Sequence, residues 1–197
     1  MTWTLKGMLG LVAETIKNPR EGASTVLNFA PPRDAIWTML ALVVVLSVML
    51  AQGTSMLFSS GQSPSGPFAL SPLVLGLVQG GLLIVMVYAT YWIGKGFGGT
   101  GSFEETMLLI TWLQFILVCL QVAQTLALVL LPPFAGMIGI GALVLFFWLL
   151  VNFVAVLHGF TSLGLVFVGI ILSFFGVGFG LALILTMIGL TPGVANV

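Results

Sequence analysis

Few side chains in this sequence are able to do chemistry. Glu104 and Glu105 are neighbours, His158 is the single histidine and Cys119 the single cysteine. Two carboxylates work as an acid–base pair only if both reach one substrate, and adjacent residues on a helix do not share a face. Here they follow Ser102, a helix-starting position where the macrodipole favours each carboxylate by about 0.3–1 kcal/mol. A lone histidine cannot build a multi-histidine zinc site, and no HExxH occurs. Cys119 sits in an apolar stretch without a disulfide partner and reads as a packing residue. Gly94-Lys95-Gly96-Phe97-Gly98-Gly99 matches GxGxxG in form, but that motif needs a preceding strand. An apolar helical stretch precedes it instead, so the glycines read as a turn. No catalytic, metal or cofactor site is expected. Lys95, Glu104, Glu105 and His158 are instead candidate contacts for a partner at one membrane face.

A second set is polar but uncharged: Gln79, Gln114, Gln121, Gln124 and Asn152, all within apolar stretches. Thr111, Gln114, Gln121 and Thr125 recur on one helical face, with Gln124 beside them. An amide facing hydrocarbon is costly, so these groups should turn inward and bond across helices, or line a solvated path. No charge lies deep in an apolar stretch, which argues against a carboxylate relay for protons or ions.

The elements that must carry these groups are long and apolar. Of 197 residues, 59% are hydrophobic and 5% charged, against roughly 25% charged in soluble domains. Uncharged apolar blocks of about 20 residues cross the ~30 Å hydrocarbon layer as helices. Alternating ten-residue strands of a barrel are absent. The fold class is therefore all-α, a polytopic transmembrane helical bundle of five spans: about 35–58, 70–93, 106–131, 134–157 and 163–190. Ser59 to Pro67 is a loop, Ser102 and Glu105 form a capping box, and 191–197 is a tail. Pro132-Pro133 must break residues 106–157, which would otherwise form one helix of roughly 75 Å. His158 to Ser162 is a short turn.

Residues 1–17 predict an interfacial amphipathic helix, with Leu5, Met8, Leu9, Val12 and Ile16 at helical spacing and Trp3 nearby. Its short apolar stretch followed by Glu14 and Lys17 is unlike a cleavable signal. Asn18-Pro19 ends it, and 18–34 follows as a polar cytoplasmic connector. Lys6, Lys17, Arg20 and Arg33 precede the first span, and Lys95 lies between the second and third. Five spans put every basic residue on one side, hence N-terminus cytoplasmic and C-terminus outside. Gly76-x-x-x-Gly80 and Gly176-x-x-x-Gly180 allow close helix approach, more readily within the chain than in a dimer.

Asn18-Pro19-Arg20 after a short apolar helix, Gly98-Gly99-Thr100-Gly101-Ser102-Phe103 before the third span, the Pro-bounded hairpin and His158-Gly159-Phe160-Thr161 together carry a resemblance. Over about residues 5–190 the chain resembles the Yip family of five-pass membrane proteins, closest to its bacterial branch. For eukaryotic relatives the resemblance implies ER–Golgi membranes, Rab-type GTPase partners and membrane shaping. For the bacterial branch it implies the cytoplasmic membrane. The family's Asp-Leu-Tyr-Gly-Pro motif is absent, since the sole aspartate, Asp34, precedes Ala35. The long acidic arm is missing too, so GTPase binding is not carried over.

The expected function is a non-enzymatic membrane adaptor or organising subunit, bearing on membrane shape, lipid handling or complex assembly. The alternative is a small transporter or channel component with a Gln/Asn-lined path; an intramembrane enzyme comes third. Expected partners are the lipid bilayer and another membrane or cytoplasmic protein, in a homo- or hetero-oligomer. With zero net charge and no basic run, nucleic acid is not among them.

Overall fold

The computed structural model describes residues 4–58 and 71–187. Trp3, the Ser59–Pro67 loop, Leu70, the last residues of the fifth expected span and the 191–197 tail lie outside the described residues. Seven helices make up the chain there, with no strand among the described residues: α1 Leu5–Lys17, α2 Pro19–Phe29, α3 Arg33–Phe58, α4 Pro72–Gly96, α5 Phe103–Leu130, α6 Pro132–His158 and α7 Leu163–Met187. The last five are long and apolar enough to cross a membrane. Their bounds differ from the expected spans by up to three residues, because caps rather than hydropathy set helix ends.

Local chemistry accounts for those ends. Ser71 accepts from the Val74 N–H and Pro72 occupies the first turn of α4, where its missing N–H costs nothing. Ser102 and Glu105 form the expected capping box at the start of α5. Pro132 begins α6 directly after Leu131, so the α5–α6 hairpin turns through a single residue. Two glycines supply left-handed closures, Gly98 (φ 85°) after α4 and Gly159 (φ 72°) after α6. Behind them, Gly99 N–H bonds Gly94 O at 2.9 Å and Phe160 N–H bonds Ala155 O at 2.9 Å, satisfying otherwise orphaned carbonyls.

Most of the polar connector expected over 18–34 is helical, as α2, Pro19–Phe29. Pro19 both ends α1 and opens α2, since proline is tolerated at a first helical position. α2 packs on α1, α5 and α6. With α1 it encloses one end of the bundle, where every residue from Thr106 to Leu113 and from Leu149 to Ala155 is buried. Each run covers about two turns of helix, so all faces are enclosed.

This arrangement alters the expected α1 stripe. Val12 is buried, Met8 and Ile16 are half-buried, and Leu9 is 48% exposed. Leu11 and Thr15, outside the stripe, are buried as well. Much of the helix's apolar face therefore meets protein. Thr15 binds its own Leu11 O at 2.7 Å and accepts from Trp112 Nε1 of α5 at 3.3 Å. Gly22 of α2 lies against Thr15, and a Cβ there would stand 2.7 Å from Thr15 Cβ and 2.8 Å from its Cα.

Away from this end, large apolar side chains such as Leu77, Met137, Ile140 and Phe175 face outward. That surface would be a liability in water and matches hydrocarbon. α7 is one continuous helix over the described residues despite its glycines, and it packs mainly on α6 and, lightly, on α4.

Candidate functional site

Inside the spans the expected polar residues divide by partner. Gln79 of α4 donates Nε2–H to Ser47 Oγ at 2.8 Å, and Gln121 of α5 donates to the Ser47 backbone carbonyl at 3.2 Å. Two turns further along α3, the Thr54 and Thr125 hydroxyls meet at 3.0 Å. With one hydrogen each, one hydroxyl donates across while the other donates to its own helix, Thr54 to Leu50 O or Thr125 to Gln121 O. The result is a polar seam joining α3, α4 and α5. Gln124 donates to Ala135 O at 3.3 Å and pins the α5–α6 hairpin.

Asn152 departs from the cross-helix expectation. It is buried, but its amide donates back to Trp148 O in its own helix at 2.8 Å. Gln114 is half-buried and has no hydrogen-bond partner among the described residues. Ser47 and Thr54 were not singled out from the sequence. A serine or threonine in a span is unremarkable until a facing amide is known, so no local signal marked them.

The glycine pairs also divide. Cβ atoms built on Gly76 and Gly80 would lie 4.0 Å from Val48 and Val44 of α3, ordinary packing distance. Gly176 and Gly180 have nothing within 4 Å. Among the described residues, only the first pair packs inside the chain. Cys119 is half-buried against the core, in keeping with a packing role.

At one end the structure gathers the other set. Lys95 Nζ donates to Thr100 O at 3.2 Å and lies 6.0 Å from the Tyr91 ring. Glu105 is taken up by the capping box, accepting from Ser102 N–H at 2.7 Å. Glu104 lies 4.0 Å from Arg33, with both side chains largely exposed. An exposed pair at that distance contributes about 0–1 kcal/mol. Lys95 and Glu104 thus remain on the surface.

His158 does not. It is 2% exposed, with Nε2 3.2 Å from Thr90 O and Phe160 stacked on it at 5.5 Å. A Cβ on Gly94 or Gly99 would overlap its ring, and one on Gly101 would stand 2.6 Å from Leu157 Cγ. The Gly-rich segment expected as a free turn is clasped around this imidazole, because only glycine lets backbone approach a ring so closely.

A cleft of about 810 Å³ opens between α4, α6 and α7. Its walls are apolar along most of their length, including Leu82, Met86, Val154 and Leu165, with Thr90, Thr161 and Ser162 at one end. Gln79 alone of the five amides borders it. No cluster of three or more His, Cys, Asp or Glu that might hold a metal occurs among the described residues.

Comparison with known families matches the Yip1 domain model to residues 13–185. No curated protein and no solved structure matches the chain. The matched span takes in the C-terminal end of α1, the whole seam and the clasp around His158.

Proposed function

The chain belongs to the Yip1 domain family, and from that premise we propose that it is a non-enzymatic integral membrane organiser, an adaptor whose five spans support a partner-binding face. One observation carries this reading. Gln79, Gln121, Gln124 and the Thr54–Thr125 pair spend their polar groups on other parts of the bundle, while the large cleft is apolar. Amides used this way add stiffness to a scaffold, at about 0.6 kcal/mol per bond on average. A hydrophilic solute would need the opposite arrangement, free amides facing a wet path.

The partner face in this reading is the end bearing Arg33, Lys95 and Glu104. The basic residues up to the start of α3 and Lys95 in the last turn of α4 favour the cytoplasm for that end, giving N-terminus inside and C-terminus outside in a cytoplasmic membrane. Lys95 and Glu104 present opposite charges at the surface, which would steer and orient a protein partner more than hold it. The apolar cleft suits the lipid-handling side of the same role.

Affinity purification in mild detergent, with mass spectrometry, tests the proposal. A partner present in stoichiometric amount should be lost from Lys95→Ala/Glu104→Ala protein that remains folded. Saturable solute uptake by proteoliposomes holding this chain alone, abolished in Gln121→Leu, would replace the adaptor with the transporter.

A further inference from the structure

We propose that His158 is a proton-dependent latch: its neutral ring holds the 97–102 segment closed over the ends of α4 and α6, and protonation releases that segment. The argument begins with the tautomer. Thr90 O is a carbonyl and only accepts, so the ring nitrogen facing it at 3.2 Å, Nε2, carries the hydrogen. Nδ1 of the neutral ring is then a bare acceptor, and it is buried without a hydrogen-bond partner among the described residues.

An added proton has one place to go, Nδ1. There it makes a donor without an acceptor, on a cation sealed from water. Neither can be tolerated without rearrangement, because a buried unpaired charge is among the costliest groups in a fold. Rotating the ring in place offers no relief, since Gly94 and Gly99 press on it from two sides and Phe160 stacks on its face.

The surrounding charges do not rescue the cation. Lys95 from α4 is near enough to oppose it, and Glu105 from α5 favours it but is already engaged with Ser102. Glu104 faces Arg33. Arg20 and Glu21 on α2, which packs on α6, are exposed. α7 and the 97–102 segment bring no titratable side chain.

The part that yields is the segment rather than the helices. Ser102 stays anchored in the capping box of α5. The stretch before it is held by short-range closures, among them Gly98 N–H to Lys95 O at 3.0 Å and Gly99 N–H to Gly94 O at 2.9 Å, and by the Lys95–Thr100 bond. Opening it wets Nδ1 and leaves the spans intact. Lys95 would come free in the same movement, so the latch would control a residue of the partner face proposed above.

Two readouts on the full chain in detergent test the latch. Because His158 is the sole histidine, isotope-labelled histidine gives one imidazole signal that reports tautomer and protonation directly. Hydrogen exchange of the 97–101 amides, corrected for intrinsic rate, reports opening. From about pH 8 downward the ring should pass from the neutral Nε2–H form towards imidazolium. It should do so later than an exposed histidine, which changes charge between about pH 8 and about pH 5, because the closed site disfavours the cation. Protection of these amides should fall in step by at least about tenfold, the factor contributed by one pH unit below the ring's titration. His158→Phe should remove the pH dependence. A cationic ring at pH 8, or protection that is unchanged between about pH 8 and about pH 5, overturns the proposal. So does an undiminished loss of protection in His158→Phe. If that variant fails to fold, the two wild-type readouts decide between latch and no latch.

Discussion

Replacing Gly22 with alanine probes the packing that encloses the α5–α6 end of the bundle. The new Cβ would stand 2.7 Å from Thr15 Cβ and 2.8 Å from Thr15 Cα. The second contact is with backbone, so no rotamer change removes it. Overpacking costs about 1–3 kcal/mol, while exchanging glycine for alanine inside a helix returns up to ~1 kcal/mol. Displacing α1 also strains the Trp112–Thr15 bond, about 0.5–1.5 kcal/mol. The net expectation is a loss of about 1–2 kcal/mol in docking of the α1–α2 hairpin. Since 1.4 kcal/mol is about tenfold, trypsin should cut detergent-solubilised protein at Arg20 roughly tenfold faster, provided cleavage follows the opened population. Gly10→Ala is the control with the opposite sign. Nothing lies within 4 Å of its Cβ position, so propensity alone acts and cleavage should slow. Thr15→Ala combined with Gly22→Ala should not restore the wild-type rate, because Thr15 Cα remains in place. Cleavage of Gly22→Ala at or below the wild-type rate would refute the close approach of α1 and α2.

The polar seam predicts a pattern of coupling in thermal unfolding. Gln79→Leu and Ser47→Ala should be coupled by at least ~0.5 kcal/mol, because they share one side-chain bond. Gln121→Leu should add to Ser47→Ala within about 0.3–0.5 kcal/mol, because Gln121 uses the Ser47 backbone carbonyl. Gln114→Leu should leave stability unchanged or raise it, since no partner amide or carbonyl is lost; a drop of more than ~1 kcal/mol would reveal a bond the structure lacks. For topology, Thr100→Cys in a Cys119→Ala background should label from the cytoplasm and Leu131→Cys from outside. Both positions are exposed, whereas Gly99 is pressed against the His158 ring; labelling of both from one side would remove the five-span arrangement. Ala30 holds φ 39° at the C-cap of α2, so Ala30→Gly should stabilise that helix end by up to ~1 kcal/mol, as read by hydrogen exchange of its last turn.

Five spans, the break at Pro132 and the capping box at Ser102 were legible in the sequence, because each depends on a short stretch of chain. A twenty-residue apolar block has no soluble alternative, proline lacks an N–H wherever it stands, and a capping box closes within three residues. The role of 18–34 was not legible in this way. Its polar composition suggested a connector, and only packing against α1, α5 and α6 makes α2 a structural element. Five amides drew attention by type alone. Which of them would bond across helices was decided by partners 32 or 74 residues away, Ser47 for both Gln79 and Gln121, while Asn152 turned back on its own helix. The same holds for glycine: Gly76-x-x-x-Gly80 and Gly176-x-x-x-Gly180 read identically, yet among the described residues only the first meets a neighbouring helix. His158 marks the boundary most sharply. Its position at the end of a span was readable, but its burial arises because Gly94, Gly99 and Gly101, more than fifty residues earlier, have no side chains to keep the backbone off the imidazole and Leu157. Local sequence determines which helices form and where they stop; which polar groups find partners depends on distances that exist only after the helices pack.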